Sequence, residues 1–163
     1  LQLAKAYSIV ANGGYEIKPS LIKKDEYLKN NRILNEKVSK EIVQILRKIV
    51  TQKEGTASLA NVNGYEVAGK TGTAQKSVEG GYSKKKINTF ASIFPASNPK
   101  YSLVVMLDEP KTNSEYIYNY RDGSGIKYKG TPFNTAGWTT VEVTGKIIEK
   151  IGPILATKYN EIK

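Results

Sequence analysis

Val67-Ala68-Gly69-Lys70-Thr71-Gly72-Thr73-Ala74 is the stretch on which the fold turns. One short run holds a lysine, two threonine hydroxyls and two glycines. Counted back to Gly64, it fits Gly-x-x-x-x-Gly-Lys-Thr, a loop whose backbone N–H groups cradle phosphate. Read as an extended strand, Lys-Thr-Gly sets a cation, hydroxyl donors and a bare backbone edge beside a cleft. That set suits anion binding and acyl transfer. The two readings imply different folds and substrates.

A phosphate cradle needs a buried strand before it and a helix N-terminus after it. Residues 57–63 (Ala-Ser-Leu-Ala-Asn-Val-Asn) make a poor buried strand, and residues 72–81 make a poor helix. Glu66 would also put a carboxylate inside the cradle. Residues 103–109 look like a strand ending in a magnesium-binding carboxylate, yet a plain core strand with an acidic turn explains them equally. Alternation over residues 64–75 fits a strand better. Tyr65, Val67, Gly69, Thr71 and Thr73 face one side; Glu66, Ala68, Lys70, Gly72 and Ala74 face the other. Lys70 and Thr71 then point apart, so a bend or twist has to decide which reaches the cleft. Gly72 leaves room for a substrate backbone against the edge. An ordinary edge strand with a glycine is the plain alternative.

The 163 residues suffice for one domain with a real core, and 39% hydrophobic content fits a soluble globular chain. The net charge of +10 favours anionic partners. The basic residues are dispersed, however, and the densest run, Ser83-Lys84-Lys85-Lys86, has few aromatics beside it. A solvated lysine-rich surface is expected, not nucleic-acid binding. Cysteine is absent, which excludes disulfides and thiolate chemistry; histidine is absent too, so acid–base work falls to Lys, Tyr, Asp or Glu. No apolar run reaches the roughly 18 residues of a spanning helix, and no signal peptide is present. Leu1 lies inside an apparent helix, so the chain is expected to be a piece of a longer protein.

Residues 1–12 read as an amphipathic helix with Leu3, Tyr7, Val10 and Ala11 on one face, stopped by Asn12-Gly13-Gly14. Residues 15–24 read as two extended pieces bent at Pro19. A second helix follows the N-cap Asn35, with Val38, Ile42, Ile45, Leu46 and Ile49 as its apolar stripe and Arg47 and Lys48 near its C-terminus. Glu79-Gly80-Gly81 is a turn. Residues 87–94 and 101–107 are two further strands, the latter apolar enough to be central; short connections imply an antiparallel meander. Residues 108–133, with Tyr116, Tyr118, Tyr120, Tyr128 and the turn Arg121-Asp122-Gly123-Ser124-Gly125, read as a long loop packed onto its own domain. Residues 136–151 read as a last helix, with Trp138, Val141, Gly145, Ile148 and Ile151 inward, ended by Gly152-Pro153.

Several stretches carry a family resemblance. Residues 1–14 resemble the helix that follows the second catalytic motif of class B penicillin-binding proteins. Glu54-Gly-Thr-Ala57 and then residues 67–74 look like the approach to their third motif, Lys-Thr-Gly. Residues 90–101 and 104–110 look like their last two strands. Thr135-Ala-Gly-Trp138 is similar to the start of the final helix of the septal members, alphaproteobacterial ones in particular. The order is right and nearly the whole chain is covered. Two motifs and one loop depart from the pattern. No Ser-x-x-Lys opens a helix: Ser97-Asn98-Pro99-Lys100 has the spacing but falls in an expected hairpin turn. Ser-x-Asn is also missing, its place being upstream of Leu1. The Tyr-rich loop 111–133 is longer than usual for the family.

The resemblance implies an α/β (α+β type) fold: an antiparallel sheet flanked by helices, the penicillin-binding protein and serine β-lactamase-like transpeptidase architecture, truncated. Residues 1–163 are expected to form the C-terminal portion of that single domain. It implies a peptidoglycan D,D-transpeptidase of the division septum, a serine acyl-transfer enzyme inactive in this piece alone. Lys70 and Thr73 are its implied catalytic residues. Thr71, Gly72 and Thr73 are its substrate-binding residues, the hydroxyls taking the substrate carboxylate and the Thr73 N–H forming half of an oxyanion hole. No metal or organic cofactor is implied. The implied partners are stem peptides, β-lactams and division proteins, at the periplasmic face of the inner membrane through an absent N-terminal anchor. The alternative, from a different class, is a non-catalytic module that binds peptidoglycan or a division protein.

Overall fold

A computed structural model describes residues 1–22, 31–119, 127–129 and 134–160. The order is α1 (Gln2–Ala11), α2 (Glu36–Thr51), a 3₁₀ turn (Ser58–Ala60), β1 (Ala68–Val78), β2 (Gly81–Phe94), β3 (Tyr101–Asp108), β4 (Ile117–Asn119), β5 (Lys127–Lys129), a second 3₁₀ turn (Ala136–Trp138) and α3 (Thr140–Asn160). Strands β1, β2 and β3 form the expected antiparallel meander, in the order β1-β2-β3. Apolar β3 is therefore an edge of this sheet, and β2 is central. The reason is connectivity: two tight hairpins in series leave the middle strand in the middle. β2 also starts at Gly81, not 87, because the hairpin pairs back to Val78↔Gly81 across an irregularity between Gln75 and Ser77.

Register divides the side chains between two layers. Thr73 lies opposite Asn88 and Thr71 opposite Phe90, while Ala68 lies opposite Ile93 and Lys70 opposite Ala91. On one face Phe90, Phe94, Val67, Leu59, Tyr118, Val141 and Ile148 form a core under α3 and the first 3₁₀ turn. On the other, Ala68 and Ile93 pack against Val43 and Leu46 of α2, with Tyr7 and Val10 of α1 beside them. Burying a side chain such as Phe90 or Ile93 contributes about 1.5–3 kcal/mol each, so the sheet is held from both sides.

Asn35 caps α2 as expected: its Oδ1 accepts the Lys37 N–H at 2.8 Å. The apolar stripe is rotated from the expected one. Ser39, Val43, Leu46 and Val50 are buried, whereas Val38 and Ile45 are 43% and 58% exposed. Leu3 of α1 is likewise exposed, though Tyr7, Val10 and Ala11 pack inward. Packing against Ile93 and Ala68 selects which neighbouring apolar residues turn in; periodicity alone leaves that angle loose. Arg47 does not serve the helix terminus. Its Nη1 donates to the Val67 carbonyl at 2.7 Å and to Asn61 Oδ1 at 3.0 Å. It staples α2 to the residue before β1, and its burial lowers the guanidinium pKa.

The strand expected from residue 64 begins at Ala68, because residues 63–65 form a turn with Gly64 at φ +82°. Tyr15 makes an isolated bridge to Arg32, and residues 16–20 have no regular structure. Lys23 and Lys24 lie outside the described residues. The 108–133 stretch is not wholly loop: β4 and β5 pair as a short hairpin. It does pack onto its own domain, through Tyr118, 3% exposed, and Tyr116. Tyr120 and residues 121–125 lie outside the described residues. Gly152-Pro153 does not end the last helix, which runs on to Asn160 with Pro153 inside it. Tertiary packing overrides the proline here. A Cβ on Gly152 would lie 2.4 Å from the Tyr65 ring, and the Leu155 carbonyl accepts the Tyr101 hydroxyl at 3.3 Å. Trp138 sits in the separate 3₁₀ turn, with Thr139 breaking from α3.

Candidate active site

Within the three-stranded sheet β1 pairs only with β2, so it presents its other edge outward. Thr71 and Thr73 share the face turned toward the two 3₁₀ turns. They line a cleft of about 420 Å³ with Thr56, Thr135, Gly137 and Trp138. Lys70 starts on the opposite face, as alternation requires. Its side chain then curls round the edge: Nζ donates to the Thr71 carbonyl at 2.8 Å and to Thr71 Oγ1 at 3.3 Å. The conflict between neighbouring residues on a strand is thus met by the reach of the lysine stem, not by a bend in the backbone. Both described contacts of this ammonium are to neutral oxygens, so its charge stays available to an anion.

The hydroxyls are also held. Thr71 Oγ1 lies 2.9 Å from Thr56 Oγ1, in the segment after α2. Thr73 Oγ1 accepts the Ala136 N–H at 3.0 Å. The glycines differ in kind. A Cβ on Gly69 would lie 2.6 Å from the Ala91 carbonyl oxygen and 2.6 Å from Phe90 Cζ, so packing excludes any side chain there. A Cβ on Gly72 would find only Thr89, at the ordinary distance of 3.9 Å. Packing within the chain therefore gives no reason for glycine at 72. A clear outer edge does.

All four expected residues, Lys70, Thr71, Gly72 and Thr73, thus stand on one edge. Thr56, the Ala136 N–H and Trp138 complete the cleft. The sequence marks these segments only through the family resemblance of Glu54-Gly-Thr-Ala57 and Thr135-Ala-Gly-Trp138, which gives their residues no place in the site. A larger cavity, about 770 Å³, lies elsewhere, between the end of α1, α2 and the β2–β3 hairpin. Of the charged side chains that line it, Arg47 is held as described, Glu66 accepts the Ser97 N–H at 3.0 Å, and Glu36 is ion-paired to Arg32 and Lys40. We place the site at the smaller cleft because Thr71 and Thr73 line it and the Lys70 ammonium reaches Thr71 Oγ1 at its rim.

Ser97–Lys100 is not the only pair with Ser-x-x-Lys spacing. Ser20–Lys23, Ser83–Lys86 and Ser124–Lys127 share it. Of these four serines, none that is described opens a helix: Ser20 is in irregular chain, Ser83 in β2 and Ser97 in the β2–β3 turn. Ser124 lies outside the described residues.

The phosphate-loop reading fails on geometry. After Thr71 the chain continues as β1 to Val78, with no helix N-terminus. Glu66 lies inside the would-be cradle with its pKa lowered by the hydrogen bond from Ser97, so it stays charged and repels phosphate. Asp108 and Glu109, at the end of β3, are ion-paired to Lys76 at 2.7 and 2.8 Å. Calorimetric titration with magnesium–ATP or –GTP is expected to show no binding. Micromolar affinity that is lost on Lys70→Ala would reverse this assignment.

An antiparallel meander with Lys-Thr-Gly on its edge strand and helices on both faces is the arrangement that the sequence resemblance implies. A family profile described as the penicillin-binding protein transpeptidase domain matches residues 1–125. The chain belongs to that family. It is 31% identical to the probable peptidoglycan D,D-transpeptidase FtsI of Caulobacter vibrioides, over 97% of this chain and 26% of that protein. It is 41% identical to FtsI of Buchnera aphidicola, over 71% of this chain and 20% of that protein. Among solved structures it resembles the transpeptidase domain of Burkholderia pseudomallei penicillin-binding protein 3, with TM-score 0.73 and 27% identity over 94% of this chain and 41% of that one. The chain spans about a quarter of the length of these curated relatives.

Proposed function

We propose that residues 1–163 are the C-terminal portion of the transpeptidase domain of a septal peptidoglycan D,D-transpeptidase. In the whole enzyme a serine Oγ attacks the D-Ala-D-Ala carbonyl. The peptide C–N bond breaks, the last D-Ala leaves as the protonated amine, and a second stem-peptide amine then takes the acyl group and frees the serine. Lys70 supplies positive field at the reacting centre. Thr71 and Thr73 bind the substrate carboxylate through their hydroxyls, and the Thr73 N–H contributes half of the oxyanion hole. Gly72 keeps the edge open to the substrate backbone. The observation that carries the reading is the convergence of the Lys70 ammonium and two threonine hydroxyls at the rim of one cleft.

The nucleophile and the Ser-x-Asn motif belong upstream of Leu1, and residues 1–163 alone are inactive. β-Lactams and stem peptides are the ligands and division proteins the partners; nucleic acid is not a partner. The site works at the periplasmic face of the inner membrane, through an anchor upstream of Leu1. No helix among the described residues is long and apolar enough to cross a membrane. Intact-mass analysis after incubation with a β-lactam tests the proposal. The full-length polypeptide should gain one acyl group on an upstream Ser-x-x-Lys serine, and residues 1–163 alone should gain none. A full-length polypeptide lacking that serine motif, or unlabelled by β-lactam, would favour the non-catalytic binding module. Stoichiometric labelling of one serine within residues 1–163 would overturn the division of labour.

A further inference from the structure

Asn88 lies directly across from Thr73 in the β1–β2 register and is fully buried. Its Nδ2 donates to the Asn134 carbonyl at 2.8 Å and to Thr139 Oγ1 at 2.7 Å. Two residues earlier on the same strand face, Lys86 Nζ donates to Asn134 Oδ1 at 2.8 Å. The strand thus grips both ends of residues 134–139. That turn carries the Ala136 N–H, which donates to Thr73 Oγ1.

The consequence for Thr73 follows from its single proton. A hydroxyl has one O–H and two lone pairs. The Ala136 N–H occupies a lone pair and can accept nothing in return. The hydroxyl proton must therefore point elsewhere, and the open direction is the cleft that Thr73 lines. We infer that Asn88 is a positioning residue: by clamping the 134–139 turn it makes Thr73 a hydrogen-bond donor toward a bound carboxylate. This rests on the reading of Thr73 as a carboxylate-binding residue.

A cost borne by the fold agrees with the inference. Asn88 Oδ1 is buried with no hydrogen-bond partner among the described residues. Flipping the amide would aim that oxygen at the Asn134 carbonyl, so the orphan stays. A residue chosen for stability alone would not leave an acceptor unsatisfied there. An apolar residue of similar size would avoid the penalty but lose the clamp.

The test is a double-variant cycle in the full-length protein. Second-order acylation rates are measured with a β-lactam bearing its free carboxylate and with the methyl ester of the same compound. Asn88→Leu should slow the acid about five- to tenfold and the ester by about twofold at most, the worth of one well-aimed hydrogen bond. In a Thr73→Val background, Asn88→Leu should bring no further loss. Equal losses for acid and ester, or losses that multiply in the double variant, would show a general structural role and overturn the inference. If Thr73→Val slows the acid while a folded Asn88→Leu does not, the inference fails and the site reading stands. If Thr73→Val leaves the acid unaffected, both fail. Should Asn88→Leu not fold, Thr139→Val, which removes one end of the clamp at nearly constant volume, runs through the same cycle and decides by the same outcomes.

Discussion

Lys70→Ala in the full-length protein is expected to cut the second-order acylation rate by about 10²–10³-fold, the usual loss on removing one preorganised electrostatic group. The folded state should hardly register the change. Lys70 is exposed, its described contacts are two hydrogen bonds to its neighbour Thr71, and an exposed cation of this kind commonly alters stability by no more than about 0.5 kcal/mol. Its Nζ is held at the rim of the Thr71–Thr73 cleft, with no carboxylate among the contacts described. A group so placed acts on charge that develops in the cleft, not on packing. Stopped-flow acylation and melting temperature, measured on one preparation, separate the two roles. A variant that melts far lower yet acylates normally in its folded fraction would make Lys70 structural and dismiss β1 as the active-site edge.

Substituting the two glycines of the same strand should have opposite signatures. Gly69→Ala drives a methyl against the Ala91 carbonyl and the ring of fully buried Phe90, neither of which can withdraw. Overpacking of this type costs about 1–3 kcal/mol, or roughly 3–10 °C in melting temperature for a chain of this size. Gly72→Ala meets only Thr89, so it should leave stability within about 0.5 kcal/mol. It should instead slow acylation on the order of tenfold or more, because the methyl stands beside the edge with which the substrate backbone pairs, on the Lys70 face, and misplacement by about 1 Å is that costly. Thermal melts and acylation rates of both variants are the measurement. Fast acylation by Gly72→Ala would mean that the outer edge of β1 is not where substrate lies. A neutral Gly69→Ala would mean that Phe90 yields more than its burial implies.

The strong local signals needed no tertiary structure to be read. Asn35 as an N-cap, the glycine stop after Ala11, the turn at 79–81 and the meander all follow from short-range rules, because a cap or a hairpin depends on residues only a few positions apart. Lys-Thr-Gly was legible for the same reason: alternation and the lack of a following helix favour a strand over a phosphate loop.

Contacts between residues distant in the chain decided the rest. Ile93 and Ala68 choose Val43 over Ile45 as the inward face of α2. Tyr65 against Gly152 keeps α3 helical through Pro153, against the local rule. Arg47 reads as a helix-end cation until Val67 and Asn61 draw it inward. The cleft shows the division most clearly. Its floor, residues 70–73, is one continuous run and visible in the sequence. Its walls, Thr56 and residues 135–138, arrive from segments 15 and 63 residues away from Thr71 and Thr73. Nothing local in those segments requires them to meet. They meet because burying Phe90 and Ile148 in one core brings α3, and the turn before it, down onto the sheet beside β1.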